Sequence, residues 1–186
     1  DMIERPEWVE QKVVEINQAF FDSYQRIYDL IKLEDGSSCF GPFGIWGPGK
    51  TVKVQCDASA MFSPAMFEQF VVPSLTAQCA WLDNSLYHLD GTQAVCHLDA
   101  LLAIDELDAI EWTPQAGIEN GGDPRWYPLY RRILDGGKSV QIVGVSIEQL
   151  KPLLDAVGGR GVYAMGNFRS VAEAERAIEI ADRFRE

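Results

Sequence analysis

The chain has 186 residues, 47% hydrophobic and 11% aromatic, with a formal net charge of -12 at pH 7. This is enough apolar material for a packed core, while no apolar run approaches the roughly 20 residues of a membrane-spanning helix. The acidic balance excludes the basic stripes that hold nucleic acid or an anionic membrane surface. A local basic pocket for an anionic small molecule stays compatible with it.

In chain order, residues 8–32 read as a leading helix and residues 41–49 as a loop with turns. Strand-like runs then appear at residues 51–57 (TVKVQCD), 85–90 (SLYHLD), 109–113 (AIEWT), 139–145 (SVQIVGV) and 161–166 (GVYAMG). Helical stretches lie between and after them, at residues 63–82, 92–104, 124–134, 147–157 and 170–185. Ser63-Pro64, Asp123-Pro124 and the Ser170 to Glu173 capping box mark helix starts. Strands that alternate with helices imply an α/β fold with a parallel sheet.

Period two sorts the strand residues by face. Val52, Val54 and Cys56 oppose Lys53, Gln55 and Asp57, and His88 and Asp90 oppose Tyr87 and Leu89. Buried parallel strands are normally continuous apolar runs, so polar residues gathered at their C-terminal ends need a reason. In barrels and doubly wound sheets that end binds ligands. Asp57, His88, Asp90, Glu111, Thr113 and Asn167 all lie at or just past such ends.

An eight-stranded barrel takes about 250 residues, and five β/α units leave two options. One is a small open sheet of the flavodoxin type. The other, which we expect, is a partial TIM-type (β/α) barrel: a single domain over residues 1–186, with about five C-terminal units behind a leading helix that no strand precedes. Such a wall exposes sheet edges and an apolar interior, so a homo-oligomer or a partner chain is expected to complete it. With no signal pattern the expected location is cytoplasmic. There Cys39, Cys56, Cys79 and Cys96, which form no C-x-x-C pair, stay reduced.

Residues 44–51 (GIWGPGKT) satisfy the phosphate-loop pattern G-x-x-x-x-G-K-[ST]. That loop needs a helix directly after it, whose N-terminal amides cradle the phosphates. Here a β-branched, strand-like run follows Lys50, and Pro48 removes one amide. Nucleotide binding is therefore not expected.

His88-Leu89-Asp90 is the most informative constellation, because it sets a histidine and a carboxylate two residues apart on one strand face. Together they form half of a metal site, or a histidine whose tautomer a carboxylate sets for acid–base work. Structural alternatives stand beside each residue. His88 could be a hydrogen-bonded core histidine, and Asp90 a cap or turn residue before Gly91. Asp57 competes with Ser59 and Ser63 as a cap. Glu111, between Ile110 and Trp112, faces either a barrel interior or an exposed sheet edge. His97 reads as a surface or packing residue. Met61 and Phe62 read as core. Trp126, Tyr127 and Tyr130, beside Arg125, Arg131 and Arg132, read as helix packing rather than a ligand pocket.

Residues 56–73 (CDASAMFSPAMFEQFVVP) resemble the D...SP..F..F..P block of the uroporphyrinogen decarboxylase family. Residues 87–91 (YHLDG) resemble that family's next strand, and residues 161–167 (GVYAMGN) its last. The resemblance spans about residues 51–185. It implies the C-terminal part of a (β/α)8 barrel. Its decarboxylase branch removes acetate carboxyls from a tetrapyrrole without a cofactor, gripping pyrrole N–H groups with an aspartate and carboxylates with arginines. Its methyltransferase branch uses a corrinoid and zinc, held by H-x-C and a later cysteine.

On that resemblance His88 matches the zinc histidine, Asp90 stands at the cysteine and Asn167 falls near the second cysteine. Zinc accepts His and Asp, whereas asparagine is a poor ligand and carboxylate ligation alters thiol activation. Cys56 faces away from Asp57 and is a poor substitute ligand. The resemblance implies an enzyme with Asp57, His88, Asp90 and Glu111 in its site and His88 and Asp90 as metal ligands. The leading expectation is corrinoid methyl transfer, with zinc or a corrinoid as cofactor. The alternatives are cofactor-free tetrapyrrole decarboxylation and a noncatalytic assembly module.

Overall fold

A computed structural model describes residues 1–185 of the chain. It is α/β, with a five-stranded parallel sheet flanked by helices. The sheet strands are β3 (Thr51–Gln55), β4 (Asn84–Asp90), β5 (Ala109–Thr113), β6 (Ser139–Ile142) and β7 (Val162–Ala164), in that sequential order. Two compact units divide the chain, one of Asp1–Tyr87 with Cys96–Asp108 and one of His88–Val95 with Ala109–Glu186.

The first unit begins with α1 (Pro6–Ile31), started by proline in its first turn. The expected loop at residues 41–49 is partly ordered. Ser38–Phe40 (β1) and Ile45–Gly47 (β2) pair antiparallel around a short 3-10 turn at Gly41–Phe43. The expected helix over residues 63–82 is two, α2 (Pro64–Phe70) and α3 (Val72–Trp81). Pro73 explains the break, since it has no N–H for the carbonyl four residues back and its ring crowds that carbonyl. Ser63 caps α2, its hydroxyl accepting the Met66 N–H at 3.3 Å. Helix α3 packs on α1 through Trp81 against Phe20, Phe21 and Tyr24.

The expected helix over residues 92–104 forms only in part. Residues 92–97 (TQAVCH) adopt a 3-10 turn, and the α-helix α4 covers Leu98–Leu102. His97 is a core residue. It stacks on Phe67 at 4.2 Å, and its Nε2 donates to the Ser59 carbonyl at 2.8 Å. Met61 departs from its expected core position and is 81% exposed, because a 3-10 turn at Asp57–Met61 carries it outward.

In the second unit, β5, β6 and β7 pair parallel with Glu111 opposite Gln141 and Gln141 opposite Tyr163. One sheet face carries Ile110, Trp112, Val140 and Ile142, all buried, together with Val162 and Ala164. Helices α5 (Tyr127–Asp135), α6 (Ile147–Val157) and α7 (Val171–Asp182) belong to this apolar face. Trp126 at the entry to α5 meets Trp112, ring centroids 4.9 Å apart, and α6 and α7 pack together beside Val162 and Ala164. Trp126 and Tyr130 are helix-packing residues, as expected.

Candidate functional site

The other face of the second unit's sheet is polar. Glu111 is fully buried in mid-strand on β5, an expensive position for a carboxylate unless it is hydrogen-bonded. Two partners meet that need. Nδ1 of His88, near the end of β4, contacts Glu111 Oε2, and the Thr113 hydroxyl donates to Oε1 at 2.6 Å. The exposed-edge reading of Glu111 is therefore overturned, since β5 lies between two other strands. The Gly91 N–H donates to the Thr113 carbonyl at 3.0 Å, which pins the end of β4 beside the end of β5.

His88 has 15% of its side chain exposed and Asp90 has 48%, so the imidazole reaches from a dry carboxylate toward the solvent-facing strand end. Its Nε2 lies 4.0 Å from Asp90 Oδ2. That is within ion-pair range but beyond a hydrogen bond, so the carboxylate that orients the ring is Glu111. Two oxygen or nitrogen ligands on a tetrahedral zinc, each about 2.0–2.1 Å from the metal, lie roughly 3.4 Å apart. Asp90 Oδ2 would have to close on Nε2 by about half an ångström to share an ion with it.

Asp57 belongs to the first unit. It is exposed and lies past the end of β3, where its carboxylate accepts the Gln55 side-chain N–H at 2.8 Å. Burial pushes the nearby Cys56 thiol up from its ordinary pKa, which keeps it protonated and a poor metal ligand. Asn167 is exposed beyond β7, outside the Glu111 cluster.

Residues 44–51 make no phosphate cradle. A strand, β3, follows Lys50, whose N–H donates to Asp83 Oδ2 at 2.7 Å. The Thr51 N–H donates to Ser38 Oγ, and the Lys50 ammonium sits 3.9 Å from the centre of the Trp81 ring.

Gln141 and Tyr163 extend the polar face. They fall in register with Glu111, Gln141 being 1% exposed and Tyr163 43%. Sequence reasoning passed over both. The available signal was a glutamine interrupting the apolar run at residues 139–145.

No family model, curated protein or solved structure matches the chain.

Proposed function

We propose that this chain is a cofactor-free decarboxylase of the uroporphyrinogen decarboxylase type, built on a partial (β/α) barrel, with His88 as its proton donor. Sequential strand order supports the barrel, because a doubly wound sheet reverses its order at a switch point. Helices α5, α6 and α7 on the apolar face of the second unit's sheet support it too, with the polar face as the barrel interior.

The observation that carries the reading is the contact between His88 Nδ1 and buried Glu111. A carboxylate there orients the ring and stabilises the imidazolium, which makes Nε2 the proton-exchanging atom at the strand end. When the substrate's carbon–carboxylate bond breaks, CO2 departs and the electron pair stays on carbon. The Nε2 proton moves to that carbon, and solvent restores the proton to His88. Asp90, exposed beside Nε2, offers an acceptor for a pyrrole N–H.

A second reading, corrinoid-dependent methyl transfer, is favoured by the same contact seen from the metal side. Histidines that bind zinc through one nitrogen give the other to a carboxylate, a backbone carbonyl or water. In that case His88 and Asp90 would hold zinc, which would activate a thiol acceptor for the methyl group.

Three assays separate the readings: conversion of uroporphyrinogen to coproporphyrinogen, demethylation of methylcobalamin, and metal content after purification. Decarboxylation by metal-free protein, falling about 100-fold or more in His88→Gln, is the expected outcome. Demethylation that follows stoichiometric zinc would install the second reading in place of the first. Neither activity in folded protein would remove both.

A further inference from the structure

On the apolar face of the second unit, opposite the His88 side, an apolar cavity of about 380 Å³ lies between α6, β7 and α7. Leu150 and Leu154 wall it from α6 and Val162 and Ala164 from β7. The facing residues of α7 are Ala174, Ala177 and Ala181, spaced three and four apart on one helical face. Larger side chains at those positions would interdigitate with α6 and close the space, as interiors normally do. Its size falls in the roughly 300–1,000 Å³ range of small-molecule sites.

We propose that this cavity binds a single aliphatic chain ending in a carboxylate. Ser146 and Arg185 are the polar side chains of its lining, and the Ser146 hydroxyl already caps α6 by accepting the Gln149 N–H. With walls this apolar, a sugar or nucleotide would lose its hydration without replacement hydrogen bonds, whereas an alkyl chain would not. Arg185 lies at the mouth, 76% exposed, with its Nε held by Asp182 Oδ1 at 2.9 Å. The other guanidinium N–H groups are donors for one anionic head. The site is independent of the decarboxylase reading, for it uses the other sheet face and none of the same residues.

Titration of the full chain with decanoate and with decanol, read by displacement of 1-anilinonaphthalene-8-sulfonate, tests the proposal. Decanoate is expected to bind saturably and to raise Tm. Ala177→Leu, which fills the cavity, should lose both ligands while keeping or raising Tm. Ala174→Val serves the same purpose if the first variant does not fold. Arg185→Gln should weaken decanoate about three- to fivefold, the modest effect of an exposed cation, and leave decanol unchanged. No saturable decanoate binding to the wild-type chain overturns the site, as does undiminished binding in a folded cavity-filling variant. Equal weakening of decanol and decanoate by Arg185→Gln overturns the assignment of the head group.

Discussion

Glu111 and His88, 23 positions apart in sequence, meet through a buried carboxylate oxygen and Nδ1 of the imidazole on adjacent strands. Removing the carboxylate takes a buried partner from the imidazole and the Thr113 hydroxyl together. Glu111→Ala should destabilise the chain by about 2–4 kcal/mol, the range for a broken buried pair. Glu111→Gln keeps the shape but withdraws the charge that favours imidazolium. The His88 titration midpoint, followed by NMR of its ring proton, should therefore fall in Glu111→Gln. An unmoved midpoint would mean that Glu111 carries no electrostatic weight at His88.

The turn before β3 gives a second prediction. Gly49 has φ +70°, and a Cβ there would run into the Asp83 carboxylate that receives the Lys50 N–H. Gly49→Ala should cost about 1–3 kcal/mol from the combined strain and clash. Lys50→Ala should cost about 0.5–2 kcal/mol, the loss of a half-buried cation–π contact with Trp81. Denaturant midpoints measure both. Tight magnesium-dependent ATP binding that vanishes in Lys50→Ala would contradict the assignment of Lys50 to that contact.

Tyr130 is completely buried, and its hydroxyl donates to the Gly121 carbonyl at 2.6 Å. Burial pushes its phenol well above the ordinary pKa of 10.0, so the folded state keeps the proton after the unfolded state has lost it. The sign follows: the contribution is fully present below pH 10 and is lost as pH rises from there toward the folded pKa, at up to about 1.4 kcal/mol per pH unit. Tyr130→Phe should flatten this decline, at a cost near neutral pH of about 1–2 kcal/mol for the abandoned carbonyl. Urea unfolding of both proteins between about pH 9 and 11.5 reads the difference in slope. Equal slopes would show that Tyr130 ionises as readily folded as unfolded.

At the start of α6, Ser146 and Gln149 form a reciprocal capping box, each side chain accepting the other's backbone N–H. Ser146→Ala should lose about 1 kcal/mol. Ser146→Asp, which can accept the same N–H and adds charge at a helix N-terminus, should restore most of it. Thermal unfolding of the two variants side by side is the check. Equal loss in both would show that the cap contributes little to stability.

Local features were legible because their causes lie within a few residues. Period-two alternation separated Val52 and Val54 from Lys53 and Gln55, and the observed burial follows that division. Ser63 and Ser170 mark helix starts by accepting amides three residues on. Pro73 could have warned that residues 63–82 break in two, yet the apolar run on either side concealed it. Met61 looked like core by composition, while its exposure depends on how the chain leaves β3, which side-chain type does not encode.

By itself the sequence determined the alternation of strands and helices, the helix starts, and the gathering of polar residues near strand ends. Each of these arises from backbone geometry and short-range capping. Only the tertiary structure decided that Glu111, rather than nearby Asp90, holds the His88 ring, and that Gln141 and Tyr163 share the polar face. Contacts between parallel strands depend on register, and a crossover of a dozen or more residues sets register by how its helix packs rather than by any local signal. His88 and Asp90 are neighbours on one strand but stay 4.0 Å apart. Glu111, far off in sequence, meets the imidazole because its strand lies alongside.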